Sequence, residues 1–198
     1  MAYVVYKGAT VYFSENVYEP AEDSFLLADA CIDYIRDNSR VLEIGTGSGF
    51  VSAVIRANKK NVDLIASDLN PHALNCAKNN NVEVIRSDLF GGFKPAHQFD
   101  TIVFNPPYLP TGDDERLQGW INFAFDGGED GRDTIRRFLS EVNQYLKPNG
   151  NMLLLVSSLT NPKEVIRLMN NEDFNVSTIC EDSCFFEKLM VLHGKLDS

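Results

Sequence analysis

The stretch TIVFNPPYLP, Thr101 to Pro110, ends an apolar run of strand character in Asn105 and follows it at once with Pro106, Pro107 and Tyr108. Asparagine brings a carbonyl oxygen that accepts and an NH₂ that donates. Proline holds φ at roughly −65°, and tyrosine offers a flat apolar face. The Asn105 side-chain oxygen and the Pro106 carbonyl are thus two acceptors on a stiff backbone, able to hold both N–H groups of a planar amino group beside Tyr108. By itself the run also fits a strand closed by a proline turn, with a tyrosine in the core.

A second cluster lies upstream. LEIGTGSGF, Leu42 to Phe50, reads as a strand, a glycine-rich turn and the start of a helix. Such a turn at the carboxyl end of a sheet lets the backbone approach a ligand closely. The spacing Gly45-x-Gly47-x-Gly49 differs from the dinucleotide pattern Gly-x-Gly-x-x-Gly. Asp68 and Asp88 each end a further apolar run. The first can accept from ribose hydroxyls, the second can meet an adenine amino group, and either alone fits a helix cap. Glu43, just before the turn, would repel a pyrophosphate but match the ammonium of an amino acid. That favours S-adenosylmethionine over a nicotinamide dinucleotide.

Positioning these groups needs strands that end together, and the pattern supplies them. Strands are expected at 40–45, 62–68, 82–88, 99–105 and 151–158, with helices at 48–58, 71–80, 133–146 and 162–169 between or after them. A helix with acids in its first turn is expected over 19–35, after short extended segments around Lys7–Gly8. The run KPNG, 147–150, reads as the stop of the 133–146 helix. Two last strands, 176–180 and 189–193, are too close for a helical crossover and should pair antiparallel. Alternating strands and helices imply an α/β fold: a mostly parallel sheet with helices on both faces. Asp126, Gly127, Gly128 and Gly131 form another glycine-rich loop before a helix, which fits either a flexible lid or a helix cap.

The 198 residues fit a single domain spanning 1–198, with 44% hydrophobic and 23% charged residues. No apolar run is long enough for a membrane helix, and MAYVVYKGAT lacks the layout of a signal peptide, so a cytoplasmic protein is expected. The net charge of −10 argues against direct nucleic-acid binding, which usually needs a basic face. Cys31, Cys76, Cys180 and Cys184 have no zinc-binding spacing, and His72, His97 and His193 are isolated, so no metal site is expected.

In order and interval, EIGTGSG, Asp68, Asp88 and NPPY resemble the class I S-adenosylmethionine-dependent methyltransferases. VYEPAEDSFLLADA, NPPYLP and FDGGEDGRD, over about Val17 to Leu192, resemble the HemK-like glutamine methyltransferases of release factors. The resemblance implies a Rossmann-like fold with a seven-stranded sheet and an antiparallel C-terminal hairpin. It also implies that residues 1–38 form an extension and helix covering the cofactor, with Ser24 and Phe25 at the cover. Expected cofactor contacts are Ser24, Glu43, Gly45, Thr46, Gly47, Gly49, Asp68, Leu69, Asp88, Leu89 and Asn105. The catalytic set is Asn105, Pro106, Pro107 and Tyr108.

The glycine turn begins too early to leave room for the N-terminal helical domain of bacterial members, which points to the compact archaeal and eukaryotic branch. The implied substrate is the glutamine of the Gly-Gly-Gln motif in the class 1 release factor. The implied partner is a small zinc-binding activator, expected to form a heterodimer at the edge strand 82–88. Adenine N6 or lysine as acceptor, and a cofactor-binding module without catalysis, are the alternatives.

Overall fold

A computed structural model describes residues 2–112, 119–184 and 186–197. Two-residue turn chemistry opens the chain. Lys7 and Gly8 both take positive φ, +42° and +84°, and join β1 (Ala2–Tyr6) to β2 (Ala9–Phe13) as an antiparallel hairpin. α1 (Glu22–Tyr34) follows, then β3 (Arg40–Ile44), α2 (Phe50–Asn58), β4 (Asp63–Asp68), α3 (Pro71–Asn79), β5 (Val84–Arg86) and β6 (Phe99–Phe104). A 3-10 turn (Trp120–Ala124), α4 (Asp133–Val142), β7 (Leu146–Ser157), α5 (Pro162–Asn171), β8 (Phe174–Ser183) and β9 (Lys188–Leu196) complete the order.

The main sheet has seven strands in the order β5-β4-β3-β6-β7-β9-β8. β5, β4, β3, β6 and β7 are parallel, while β9 runs antiparallel to both β7 and β8. Side-chain alternation divides the core between the two faces. Val41, Leu153 and Leu155 pack with α1 and α2; Leu42, Ile44, Met152, Leu154 and Val156 pack with α4 and α5. The chain winds outward from β3 to the edge at β5, then returns to β6 on the other side of β3. That reversal opens a crevice at the carboxyl ends of β3 and β6, where open α/β sheets bind ligands.

Several boundaries differ from expectation: β8 and β9 run longer, over Phe174–Ser183 and Lys188–Leu196, and three further differences have a local cause. α4 stops at Val142, and KPNG lies inside β7 as a bulge. Phe99 pairs with Leu146 while Thr101 pairs with Asn151. The helix closes early as its last amides tighten to i→i−3 bonds, Gln144 to Glu141 and Tyr145 to Val142, and the Gln144 and Tyr145 carbonyls beyond it accept from His97, Gln98 and Phe99 at the entry to β6. β5 keeps only Val84–Arg86, because Val82 donates instead to the Ala77 carbonyl at the end of α3. α1 begins at Glu22 rather than Glu19, since Pro20 biases the residue before it away from the helical region.

Candidate active site

The crevice is a cavity of about 460 Å³ lined by the ends of β3, β4, β5 and β6, the segment Val17–Ser24 and the 3-10 turn. On its cofactor side the glycine turn folds with positive φ at Gly45 (+66°) and Gly47 (+56°). A Cβ at Gly45 would lie 3.3 Å from the Phe104 ring, so the turn sits against the end of β6 in a space that suits glycine. Gly49 differs from expectation. It is not among the cavity-lining residues, and a Cβ there would lie 2.9 Å from Val82 and 3.1 Å from Ala77, so the glycine lets the start of α2 pack on the end of α3 and the turn that follows it.

Glu43 is buried on the face of β3 that meets α2. Its Oε2 accepts from Thr46 Oγ1 at 2.8 Å, from the Ser52 amide at 3.1 Å and from the Ser52 hydroxyl. Burial pushes its carboxyl up to about 7 despite those donors. Asp68 accepts the Gly47 amide on Oδ2 and the Asn70 amide on Oδ1, both at 2.8 Å. Burial raises its pKa as well, against the pull of these backbone amides. Thr46, Leu69 and Leu89 line the same wall. Asp88 lines it from the end of β5, half exposed, its carboxylate paired with Arg137 of α4 at 2.8 Å.

On the other side, Asn105, Pro106, Pro107 and Tyr108 leave β6 along the cavity wall. Asn105 Nδ2 donates to Asp23 Oδ2 at 2.9 Å. Its Oδ1 is buried with no hydrogen-bond partner among the described residues. An acceptor left unpaired by the fold costs stability unless a ligand satisfies it, so this atom marks where a donor belongs. Burial raises the Tyr108 phenol above its ordinary pKa, with the carboxylates of Asp23 and Glu187 adding to it, so it stays neutral. Ser24 lines the cavity as expected. Phe25 instead turns away to pack on Tyr6 and Phe50, at 4.9 and 5.2 Å between ring centroids.

The segment 126–131 is a brace for the NPPY run. Leu109 donates to the Phe125 carbonyl, Gly127 to the Leu109 carbonyl and Thr111 to the Gly128 carbonyl, at 2.9–3.0 Å. Gly131, at φ +71°, lies so close that a Cβ would stand 2.4 Å from the Tyr108 carbonyl oxygen. Gly131→Ala is therefore expected to lower stability by about 2 kcal/mol or more and to displace Tyr108, measured by chemical denaturation beside turnover.

Sequence reasoning missed Asp23. It read as one of the acids in the first turn of a helix, yet it is 4% exposed and fixes Asn105 from 82 positions away. Its signal was already in the run VYEPAEDSFLLADA, where an acid stands among residues expected to cover a ligand.

The cavity fits S-adenosylmethionine by its chemistry: a glycine cradle, a buried carboxylate for an ammonium and a second acid for a ribose. The methyltransferase small domain model matches residues 9–186. A Methanocaldococcus jannaschii protein named as an N5-glutamine methyltransferase is 42% identical over 194 residues, covering 95% of this chain and 96% of its own. The human methyltransferase HEMK2 is 35% identical over 189 residues, covering 89% and 88% respectively. Among solved structures, the Encephalitozoon cuniculi Mtq2–Trm112 complex, described as methylating the eRF1 termination factor, contains a chain of the same fold. It has a TM-score of 0.77 and 27% identity, over 92% of this chain and 99% of that one. With the unpaired Asn105 oxygen on one side of the cavity and the buried Glu43 on the other, these matches agree with the site: the chain belongs to the small-domain methyltransferases and, within them, to the HemK-like family of S-adenosylmethionine-dependent enzymes.

Proposed function

We propose that this enzyme methylates the side-chain amide nitrogen of a glutamine, the one in the Gly-Gly-Gln motif of the class 1 peptide-chain release factor. The observation that carries the reading is the orphan Asn105 Oδ1. Residues Glu43, Gly45, Thr46, Gly47, Asp68, Leu69 and Leu89, with Ser24 and Asp88 at the margins, would hold the cofactor. When bound, S-adenosylmethionine supplies an electrophilic sulfonium methyl group.

The protein's task is then to present a poor nucleophile. An amide nitrogen delocalises its lone pair into the carbonyl. Asn105 Oδ1 accepts one N–H and the Pro106 carbonyl accepts the other, favouring a pyramidal nitrogen whose lone pair points at the methyl group. When bound, the cofactor would supply the carbon of the new N–C bond and keep the S–C electron pair as its thioether, and the displaced amide proton would pass to water at the open side of the cavity. Pro106 and Pro107 keep the acceptors in place before the substrate arrives, and Tyr108 stacks on the flat amide. Incubating the chain with S-adenosylmethionine and the release factor, with and without a small partner subunit, tests this. A gain of about 14 Da confined to the Gly-Gly-Gln glutamine is expected; methyl on lysine or on DNA would count against the reading.

The partner reading rests on the sheet edge. Among the described residues β5 pairs with β4 alone, and Ile85 on it is 37% exposed. Arg86 of the same strand lies over the Trp120 ring at 5.9 Å, and Trp120 lines the cavity, so a strand added at β5 would touch a wall of the site. A small zinc-binding subunit docking there is the proposed heterodimer. Ile85→Asp should leave the chain folded but abolish its co-purification with that subunit; undiminished co-purification would move the interface elsewhere. Among the described residues no helix is long and apolar enough to cross a membrane.

A further inference from the structure

We infer that Tyr18 is a positioning residue for Asn105, acting through Asp23 to decide which end of the Asn105 amide meets the substrate. The inference rests on the amide-methylating reading above and deepens it. An asparagine amide is nearly symmetric in shape, so packing alone would accept either end toward the cavity. The oxygen must face the substrate if it is to accept an N–H, and only a group that cannot donate enforces this. An ionised carboxylate is such a group.

Asp23 therefore has to present one oxygen to Asn105 and keep it there. Its Oδ2 takes Asn105 Nδ2 at 2.9 Å. Its Oδ1 takes the Ser24 amide at 2.6 Å, the Ser24 hydroxyl at 3.2 Å and the Tyr18 hydroxyl at 3.0 Å. Among the described residues Tyr18 is the one donor to Asp23 Oδ1 from outside α1. It fixes the carboxylate against a part of the molecule other than its own helix.

Tyr18 is itself well placed for this. Burial, reinforced by the Asp23 carboxylate, raises its phenol above the ordinary value, so it remains a donor. Its ring meets Phe125 edge-on at 5.5 Å, and the Phe125 carbonyl holds the Leu109 amide just beyond Tyr108. The segment before it is anchored on the cofactor side. The Asn16 carbonyl accepts Asn70 Nδ2 at 2.9 Å, and the Asn70 amide donates to Asp68. Tyr18 thus links both ends of the NPPY run to a strap that is fastened beside the cofactor cradle.

The test removes one oxygen atom. Tyr18→Phe keeps the ring against Phe125 and should lower kcat on a Gly-Gly-Gln protein substrate by about 10- to 100-fold, as a small misplacement of a clamp would. Cofactor affinity by calorimetry should stay within about twofold. In ¹⁵N spectra of the cofactor-bound enzyme, the Asn105 side-chain NH₂ pair, assigned by its loss in Asn105→Ala, should move. Asp23→Asn should move the same pair, and the double variant should be no slower than Asp23→Asn alone.

Turnover within twofold of wild type, an unmoved Asn105 pair, or losses that multiply in the double variant would overturn the relay. So would a drop in melting temperature with a matching loss of cofactor binding, which would mark a purely structural role. A wild-type chain that binds the cofactor yet leaves the Gly-Gly-Gln glutamine unmodified would refute the substrate reading instead. The Asn105 resonance would then still decide the relay.

Discussion

Asn105→Ala is expected to reduce methyl transfer by about 1,000-fold or more while cofactor affinity stays within a few-fold. The variant deletes an acceptor, the one cavity-lining side-chain oxygen among the described residues that is buried and unpaired, together with the donor that Asp23 holds. The proposed cofactor cradle draws on β3, β4 and their following turns, whose hydrogen bonds do not involve Asn105, so it should survive the change. An acceptor that acts only on the reacting nitrogen stabilises the transition state more than the bound substrate, so the loss should appear in kcat. Asn105→Asp keeps an acceptor but removes the amide donor that Asp23 holds and sets two acids side by side, so the side chain loses its fixed orientation and transfer should fall as well. Single-turnover rates beside calorimetry separate the two quantities, and an Asn105→Ala enzyme with near-normal rates would remove the clamp from the mechanism.

Much of this was legible because it is encoded locally. The alternation of apolar runs and helical segments identifies the parallel sheet, and the short gap between the last two runs identifies the antiparallel pair. Groups at strand ends announce themselves by position: Asp68, Asp88 and Asn105 each close an apolar run, and the topology brings all three to one cavity. What stayed hidden is tertiary. The early end of α4 comes with carbonyls claimed by the segment before β6. Gly49 looks like a ligand-facing glycine, but its close neighbours are Val82 and Ala77. Asp88 carries a salt bridge to Arg137, 49 positions away. Asp23 and Tyr18 act on a residue more than 80 positions distant, and no spacing rule reaches that far.

Cofactor affinity should rise by about fivefold between pH 6 and pH 7, and Glu43 should be the cause. In an unfolded chain a glutamate titrates near the ordinary value of about 4.3. In the folded chain burial holds Glu43 at about 7, so the apo enzyme keeps a proton there that the unfolded chain has already lost. The stability associated with that proton is fully present below the unfolded value and is lost as pH rises through about 7. Binding reverses the balance. With the α-ammonium of the cofactor paired to ionised Glu43, as the proposed site has it, binding near pH 7 would expel the proton and grow tighter as the carboxylate forms. The ammonium itself deprotonates around an ordinary value of about 7.7–8.0, so above about pH 7.5 affinity should fall again.

Glu43→Gln separates these limbs. It should abolish the rise between pH 6 and 7, keep the alkaline fall, and weaken binding at pH 7.5 by about tenfold. It should also make the apo enzyme less sensitive to pH over the same range, because a neutral amide has no proton to lose. Asp68 is buried too, with its pKa raised, and could in principle give a rise of its own. A profile unchanged in Glu43→Gln but flattened in Asp68→Asn would assign the limb to that residue. Calorimetry at pH 7 in buffers of different ionisation enthalpy adds an independent count. Net proton release on cofactor binding, lost in Glu43→Gln, is the signature of a buried carboxylate kept neutral until its cation arrives.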